Sequence, residues 1–496
     1  MRGLTYFGNV VGMIKKVLIG MILLFSVVPA YIAYYYGSNS MRVHSFLNNE
    51  DLVTLQILHI NDTHAYYHPV SFPLLNEKVS RLAVIKNFVN NQKQKRKHTL
   101  FVSAGDAMEK GSIADHVSSG QTTTDIYSQL GLDYITLGNH DFAYNIKSIV
   151  NFSNNAANTS LSANVRFNKE LGSKSVSHHI YDIDGGVKIG IFGLTAGLFN
   201  SLNQGYKGPY YNGMTMDLDF VKVANEQVAI LKESKVNFVI MLSHLGKSID
   251  KHLAEHVSGI DFIIGGHSHK TVFKELFFAG VPWVETGYRA NHVGELNFAF
   301  DKKSKKLIGH SYALYPIHPF IFGVDYEFND FIKKAIGNFP ESSDDPACNA
   351  DKKYSQLELI RQFAHSLLET HSSDLVLLDK TQFERGLDSG ALPHQNLFDV
   401  LPPQIQPPGT TGLASIYTAN VTMEDFGKIN QILPNMKKVY RLQGSKIEGN
   451  NSIKIIGHKK YLKNLGHHFS IQPLEAPTYL GENWQLIKSI CLEKVF

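Results

Sequence analysis

LVTLQILHINDTH, residues 52–64, is the stretch that decides the fold. A mostly apolar run ends in Asn61-Asp62-Thr63-His64, so a buried strand delivers a carboxylate and an imidazole, two residues apart, at its C-terminal end. The pattern recurs along the chain. HTLFVSAGD (98–106) ends in Gly105-Asp106, and DYITLGNH (133–140) ends in Gly138-Asn139-His140 with Asp141 following. NFVIMLSH (237–244) ends in His244, and DFIIGGH (261–267) runs into Gly265-Gly266-His267-Ser268-His269. Helical patterns lie between. RLAVIKNFVNNQKQK (81–95) has an apolar face and a basic far side, and TTTDIYSQLG (122–131) reads as a helix with a threonine cap. Strands buried on both faces and alternating with helices predict an α/β fold, and open α/β sheets place their sites at the carboxyl ends of strands. Asp, Asn and His gathered there suit Zn²⁺, Mn²⁺ or Fe²⁺, and a pair of such ions can activate water against a phosphate ester.

Composition sets outer bounds. The 496 residues are 43% hydrophobic and 19% charged, an ordinary globular make-up long enough for two sizeable cores. The net charge of +4 is spread without a basic block. That argues against a nucleic-acid polymer as partner and is compatible with a small anionic substrate. KQKRK (93–97) reads as the solvated face of a helix. His59, His68, His179 and His394 read as structural or surface histidines.

Residues 17–36, VLIGMILLFSVVPAYIAYYY, carry no charge and follow Arg2, Lys15 and Lys16. A positive flank before such a run is an export signal, and 20 residues can just span a bilayer. Residues 1–40 are therefore expected to be a signal peptide, with Val28-Pro29-Ala30 resembling a cleavage site, or an uncleaved membrane anchor with Tyr34, Tyr35 and Tyr36 at the interface. Either reading puts the rest of the chain outside the cytoplasm, in the periplasm or beyond. The two cysteines, Cys348 and Cys491, lie in no metal-type spacing. In an exported chain they could form one disulfide; two buried thiols are the alternative.

The expected organisation is a domain at 50–335, a linker at 336–355 where Pro, Ser and Asp dominate NFPESSDDPACNADKKYSQ (338–356), and a second domain at 356–496. That domain opens with the helical LELIRQFAHSLLETH (357–371) and contains a Pro/Gly/Thr-rich loop, LPPQIQPPGTTG (401–412), expected to be exposed.

The blocks ILHINDTHAYY, FVSAGDAMEKGS, LGLDYITLGNHDF, LSANV, IGIFGLT, VIMLSHLG and IDFIIGGHSHK stand in the order used by the calcineurin-like metallophosphoesterases. More narrowly, residues 52–300 resemble the 5′-nucleotidase and UDP-sugar hydrolase branch. The resemblance implies a four-layer α/β/β/α sandwich with a smaller C-terminal α/β domain. It implies two divalent metal ions, with Zn or Mn favoured over Fe: Asp62, His64 and His269 at one, Asn139, His244 and His267 at the other, and Asp106 bridging them. The two Asp106 oxygens would bind separate ions about 3.5–4 Å apart. His140 resembles the family's catalytic histidine beside Asn139, stabilising or protonating the leaving oxygen. The chain departs from the family at one position. The usual block ends Gly-Asn-His-Glu-Phe-Asp, whose last Asp orients the histidine, and Ala143 stands there in this chain. Weaker proton donation or an altered substrate is expected unless another carboxylate approaches in space.

From residue 355 the resemblance to the 5′-nucleotidase C-terminal domain is weak, carried mainly by TMEDFGKINQILPNMKKVYRLQGSKI (422–447). LLDKTQFERGL (377–387) replaces the family's Asn-Gly-Gly-x-Arg stretch and leaves Arg385 as the candidate for binding substrate anion, with a surface arginine as the alternative. Phe383 and Phe398 would either stack a base or pack in the core, the latter being favoured. The resulting expectation is a metal-dependent hydrolase of phosphate esters, a 5′-nucleotidase or nucleotide pyrophosphate or nucleotide-sugar hydrolase. The rivals are a thiosulfohydrolase-like enzyme and a metal-binding surface protein without turnover.

Overall fold

The computed structural model describes residues 41–73, 75–196, 213–339, 346–402, 415–444, 452–481 and Leu486. The run 17–36, Cys491 and most of the loop 401–412 lie outside these residues. Among the described residues no helix is long and apolar enough to cross a membrane.

The larger domain is built on two six-stranded sheets. In the first, the spatial order is Leu307–Pro316, His292–Asp301, Leu52–Ile60, Thr99–Ser103, Tyr134–Thr136 and Thr159–Leu161. Its last four strands are parallel, and the pair at the other edge is antiparallel. In the second, the order is Leu276–Phe278, Val281–Val284, Phe262–Gly265, Phe238–His244, Val187–Thr195 and His178–Ile183. There the strands ending at Thr195, His244, Gly265 and Val284 are parallel.

Alternation along these strands makes the layers. Val53, Leu55, Ile57, Phe298 and Phe300 of the first sheet meet Ile189, Ile191, Phe238, Ile240 and Phe262 of the second in one buried cluster. The opposite faces carry a second apolar set. Leu58, Ile60 and Phe101 pack on helices Arg81–Lys95, Gln121–Leu130, Ile146–Asn155 and Tyr326–Gly337. Phe192, Leu194, Val239 and Met241 pack on Phe220–Glu233 and Lys247–His256. Strands apolar on both faces can be covered only this way, and the result is the four-layer α/β/β/α sandwich.

Local sequence fixes the helix starts. Ser80, Asn145, Asp219 and Asp325 each cap a helix by accepting a backbone N–H. The expected threonine cap is corrected: the helix Gln121–Leu130 starts behind Gly120 at φ +86°, a left-handed conformation that glycine adopts freely. Thr122 and Thr123 are buried inside it, and the Thr123 hydroxyl bonds the Asp115 carboxylate instead of capping. The basic run 93–97 is dispersed by ion pairs, Lys93 with Asp133 and Lys97 with Asp184, both at 2.7 Å.

The smaller domain holds a five-stranded sheet in the order Val439–Gln443, Leu375–Asp379, Ser452–His458, Ile416–Thr422 and Thr478–Gly481. Helix Gln356–Thr370 covers it, opened by a reciprocal capping box between Ser355 and Glu358. Within the stretch read as linker, Pro346–Ala350 form a strand paired with Gly390–Pro393, because backbone pairing there needs no apolar periodicity. Cys348 on that strand is disulfide-bonded.

Trp283, fully buried, donates from Nε1 to Asp250 Oδ2 at 2.8 Å, and Ser243 donates to Asp250 Oδ1 at 2.5 Å. This buried network braces the strand end that carries His244. Trp283→Phe keeps most of the ring but strips Asp250 of a donor, so urea unfolding should show a loss of about 1–3 kcal/mol. An unchanged midpoint would mean that the network does not hold the sheet.

Candidate metal centre

Because the parallel strands of each sheet share a direction, their carboxyl ends lie on common edges, and the packed sheets bring the two edges together. Two donor groups form there: Asp62, His64, Asp106 and His269, and then Asp106, His244 and His267. Each group has ligand atoms within 4.8 Å of one another. The Asn139 side-chain oxygen lies 2.8 Å from His267 Nδ1, which adds the amide to the second group. All seven side chains expected to bind metal are thus brought together. A third donor group, His252, Glu255 and His256, lies exposed on the helix Lys247–His256 and shares no residue with these two.

Hydrogen bonds aim the donors. Asn61 donates to Asp62 Oδ2 at 2.7 Å, and the His267 amide donates to the same oxygen at 2.8 Å. That leaves Asp62 Oδ1 turned to His269 Nε2 at 3.1 Å and His64 Nε2 at 3.7 Å. His244 Nδ1 sits 2.6 Å from the Ala104 carbonyl, which fixes its tautomer and presents Nε2 to Asp106 Oδ2 at 3.1 Å. Asp106 departs from expectation in one respect. Oδ1 accepts the His140 amide at 2.8 Å, so Oδ2 alone faces both groups, 3.6 Å from His64 Nε2 on the other side.

The donor set fits divalent ions. Asp62 Oδ1 and His244 Nε2 are buried with no well-directed hydrogen bond among the described residues, the state of groups whose partner is a cation rather than a donor. Electrostatics points the same way. Burial alone would lower His244, but the Asp106 and Asp62 carboxylates push it up to about 10. Asp106, for its part, is held well below the usual carboxylate range by His244, His140 and His64 against the effect of its burial. A pair that grips a proton so tightly marks a place where positive charge is stabilised.

The backbone is bent to achieve this. Asp62 and His64 have φ +49°, Asp106 and His269 +55°, and His267 +74°. Left-handed conformations at non-glycine residues cost about 1–3 kcal/mol each and cluster where a site demands them. Gly138 answers a different need, since a Cβ there would collide with the Asp106 carboxylate and amide.

Two residues were missed in the sequence. Asp141 accepts backbone N–H from Asp106, Ala107, Met108 and Gly138 at 2.7–3.1 Å and clamps both ligand loops together. Glu109 places Oε2 2.6 Å from His140 Nδ1. Neither has a spacing signal, because each acts through a fold contact. The His140 ring stands edge-on to His64 with centroids 4.9 Å apart, beside the donors.

Other candidates sit elsewhere. Arg385 pairs with Asp388 and Asp399, each at 3.3 Å, so its charge is already compensated. Phe383 packs in the smaller domain's core. Phe398 packs on Ile113 across the domain boundary, 5.9 Å from the His116 ring. His68 pairs with Ser112 and His179 with Tyr134, whereas His59 is buried in its strand and His394 opens helix His394–Val400.

Asp141→Ala removes the common acceptor of four amides. It should weaken metal binding about 10–100-fold, read by isothermal titration with Mn²⁺ or Zn²⁺, with the fold retained by circular dichroism. Unchanged affinity would show that the loops hold their geometry without the clamp.

The profile of the calcineurin-like phosphoesterase family matches residues 55–271. The chain is 28% identical over 290 residues to the trifunctional nucleotide phosphoesterase protein YfkN of Bacillus subtilis, covering 51% of this chain and 18% of that protein. It spans half or less of the length of the curated relatives it matches. Among solved structures it resembles the 5′-nucleotidase precursor of Thermus thermophilus, with a TM-score of 0.66 and 18% identity over 88% of this chain and 96% of that one. It resembles the sulfate thiohydrolase SoxB of the same organism with a TM-score of 0.65 and 12% identity, over 88% and 93%. The sheets and the strand-end donors fall within or beside the matched stretch, so residues 55–271 are similar to the calcineurin-like phosphoesterase family.

Proposed function

We propose that the protein is a dinuclear metal-dependent hydrolase of phosphate monoesters, acting on nucleoside 5′-phosphates outside the cytoplasm. The observation that carries the reading is the single Asp106 oxygen placed between two groups of carboxylate, imidazole and amide donors. Asp62, His64 and His269 would hold one ion, Asn139, His244 and His267 the other, with Asp106 shared. Two cations held there would neutralise phosphate charge and increase the acidity of water. The chain's own residues do the rest. Asp62 and Asp106 are locked by amide donors, so the donor geometry needs no reorganisation as a phosphate enters. His140, 12% exposed at the edge of the donors, is placed to protonate the departing oxygen.

Two features support a nucleotide as the substrate. The matched relative and the similar fold carry nucleotide-hydrolase names. The smaller domain also reaches the site: Glu384 pairs with Arg289 at 3.2 Å, while the Arg289 guanidinium lies over the Tyr66 ring at 4.3 Å and Tyr288 stacks on His269. Aromatic and cationic groups beside a phosphate-binding centre suit a base with its sugar phosphate. The charge-free run 17–36 and the disulfide at Cys348 support action in an oxidising compartment.

A panel of AMP, UDP-glucose, p-nitrophenyl phosphate and a thiosulfonate, each with Mn²⁺, Zn²⁺ or chelator, tests this. Phosphate release from AMP with metal, abolished by chelator, is expected. Asp106→Asn should lower kcat/KM at least about 100-fold, because even outer-shell changes at metal sites cost 10–100-fold. Sulfate release from the thiosulfonate without phosphate release, or activity indifferent to metal, would overturn the reading.

A further inference from the structure

We propose that Glu109 is the positioning residue for His140, replacing by a different loop the carboxylate that Ala143 lacks. The inference rests on the phosphate-ester reading above. Glu109 is 2% exposed, and its Oε2 lies 2.6 Å from His140 Nδ1. A buried carboxylate at that distance holds the Nδ1 proton and orients the ring, which leaves Nε2 to serve the reaction.

The position of Glu109 is built rather than incidental. Its backbone is left-handed, at φ +68°, and its N–H donates to Asp115 Oδ2 at 2.9 Å. Asp115 is itself buried and accepts from the Tyr144 hydroxyl at 2.7 Å and from the Thr123 hydroxyl. Helix Gln121–Leu130 and the segment after His140 therefore fix the loop that carries Glu109. Position 143 is closed to this role. Ala143 is fully buried in an apolar cluster with Met108, Phe142 and Tyr144. Tyr144 is drawn to Asp115, so the segment after His140 supports the Glu109 loop in place of supplying an acid itself.

In the reaction, a water that has lost a proton to solvent forms the new bond to phosphorus through its oxygen. The ester P–O bond breaks with its electron pair on the leaving oxygen. That oxygen takes the Nε2 proton of His140, which regains one from solvent, so ester plus water gives alcohol plus phosphate. Glu109 touches neither reacting atom; it holds the ring through Nδ1 and so aims Nε2.

A leaving-group contrast tests the assignment on the full chain loaded with Mn²⁺. AMP expels an alkoxide that needs a proton, whereas p-nitrophenyl phosphate expels a stable phenolate that does not. Glu109→Gln should lower kcat on AMP on the order of 100-fold, with KM and metal content by elemental analysis unchanged, while the aryl ester loses less than about tenfold. Adding Glu109→Gln to His140→Asn should cost little beyond His140→Asn alone, since the two residues act as a unit. Equal losses on both esters, additive losses in the double variant, or no loss on AMP would overturn the role of Glu109. If Glu109→Gln fails to fold, Glu109→Asp decides: a loss confined to AMP supports the assignment, and an equal loss on both esters rejects it. A wild-type protein that releases phosphate from neither ester would instead overturn the phosphate-ester reading itself.

Discussion

The structure turns on burying two carboxylates, Asp62 and Asp106, side by side with relative exposures of 0% and 1%. Burying charge without compensation is prohibitive, so everything around them must answer it. Amide donors occupy the oxygens that face the protein, from Asn61 and His267 on Asp62 and from His140 on Asp106. Imidazoles occupy the other side. Because the imidazoles come from both sheets and the carboxylates from one, the site exists only when the two sheets are packed. The shared inner core of the sandwich is thus the scaffold of the centre.

Much of this was legible in the sequence. Apolar strands that end in Asp, Asn and His announced an α/β fold with the seven donors at strand ends, while the four-layer sandwich followed only from the family resemblance. His140 was singled out through the resemblance, and its ring lies beside the donors. What stayed hidden depends on distance in space rather than along the chain. Glu109 sits in a Met-Glu-Lys stretch with no periodicity, and its partner lies 31 residues away. Asp141, next to His140 in sequence, binds amides of two separate loops. The threonines of 122–124 follow a cap pattern, yet inside the helix the Thr122, Thr123 and Thr124 hydroxyls donate to the Ala114 carbonyl, the Asp115 carboxylate and the Gly120 carbonyl. Arg385 looked like a ligand for an anion because sequence does not show that Asp388 and Asp399 neutralise it.

The left-handed backbones at Asp62, His64, Asp106, Glu109, His267 and His269 share one logic. All of them lie just past the ends of strands, where the extended backbone gives way to tight turns. The surrounding hydrogen bonds hold these conformations. The His64 amide donates to the Asp106 carbonyl and the Asp62 amide to the Gly105 carbonyl, both at 2.9 Å. Strain and support are therefore parts of the same two loops.

The smaller domain grips one of these loops. Gln395 accepts from the Ile113 amide at 3.0 Å and donates to the Gly111 carbonyl at 3.0 Å, straddling the turn just beyond Glu109. Any swing of that domain away from the sandwich has to tear both bonds first. If Glu109 positions His140 as proposed, such an opening would also loosen the segment that aims the imidazole.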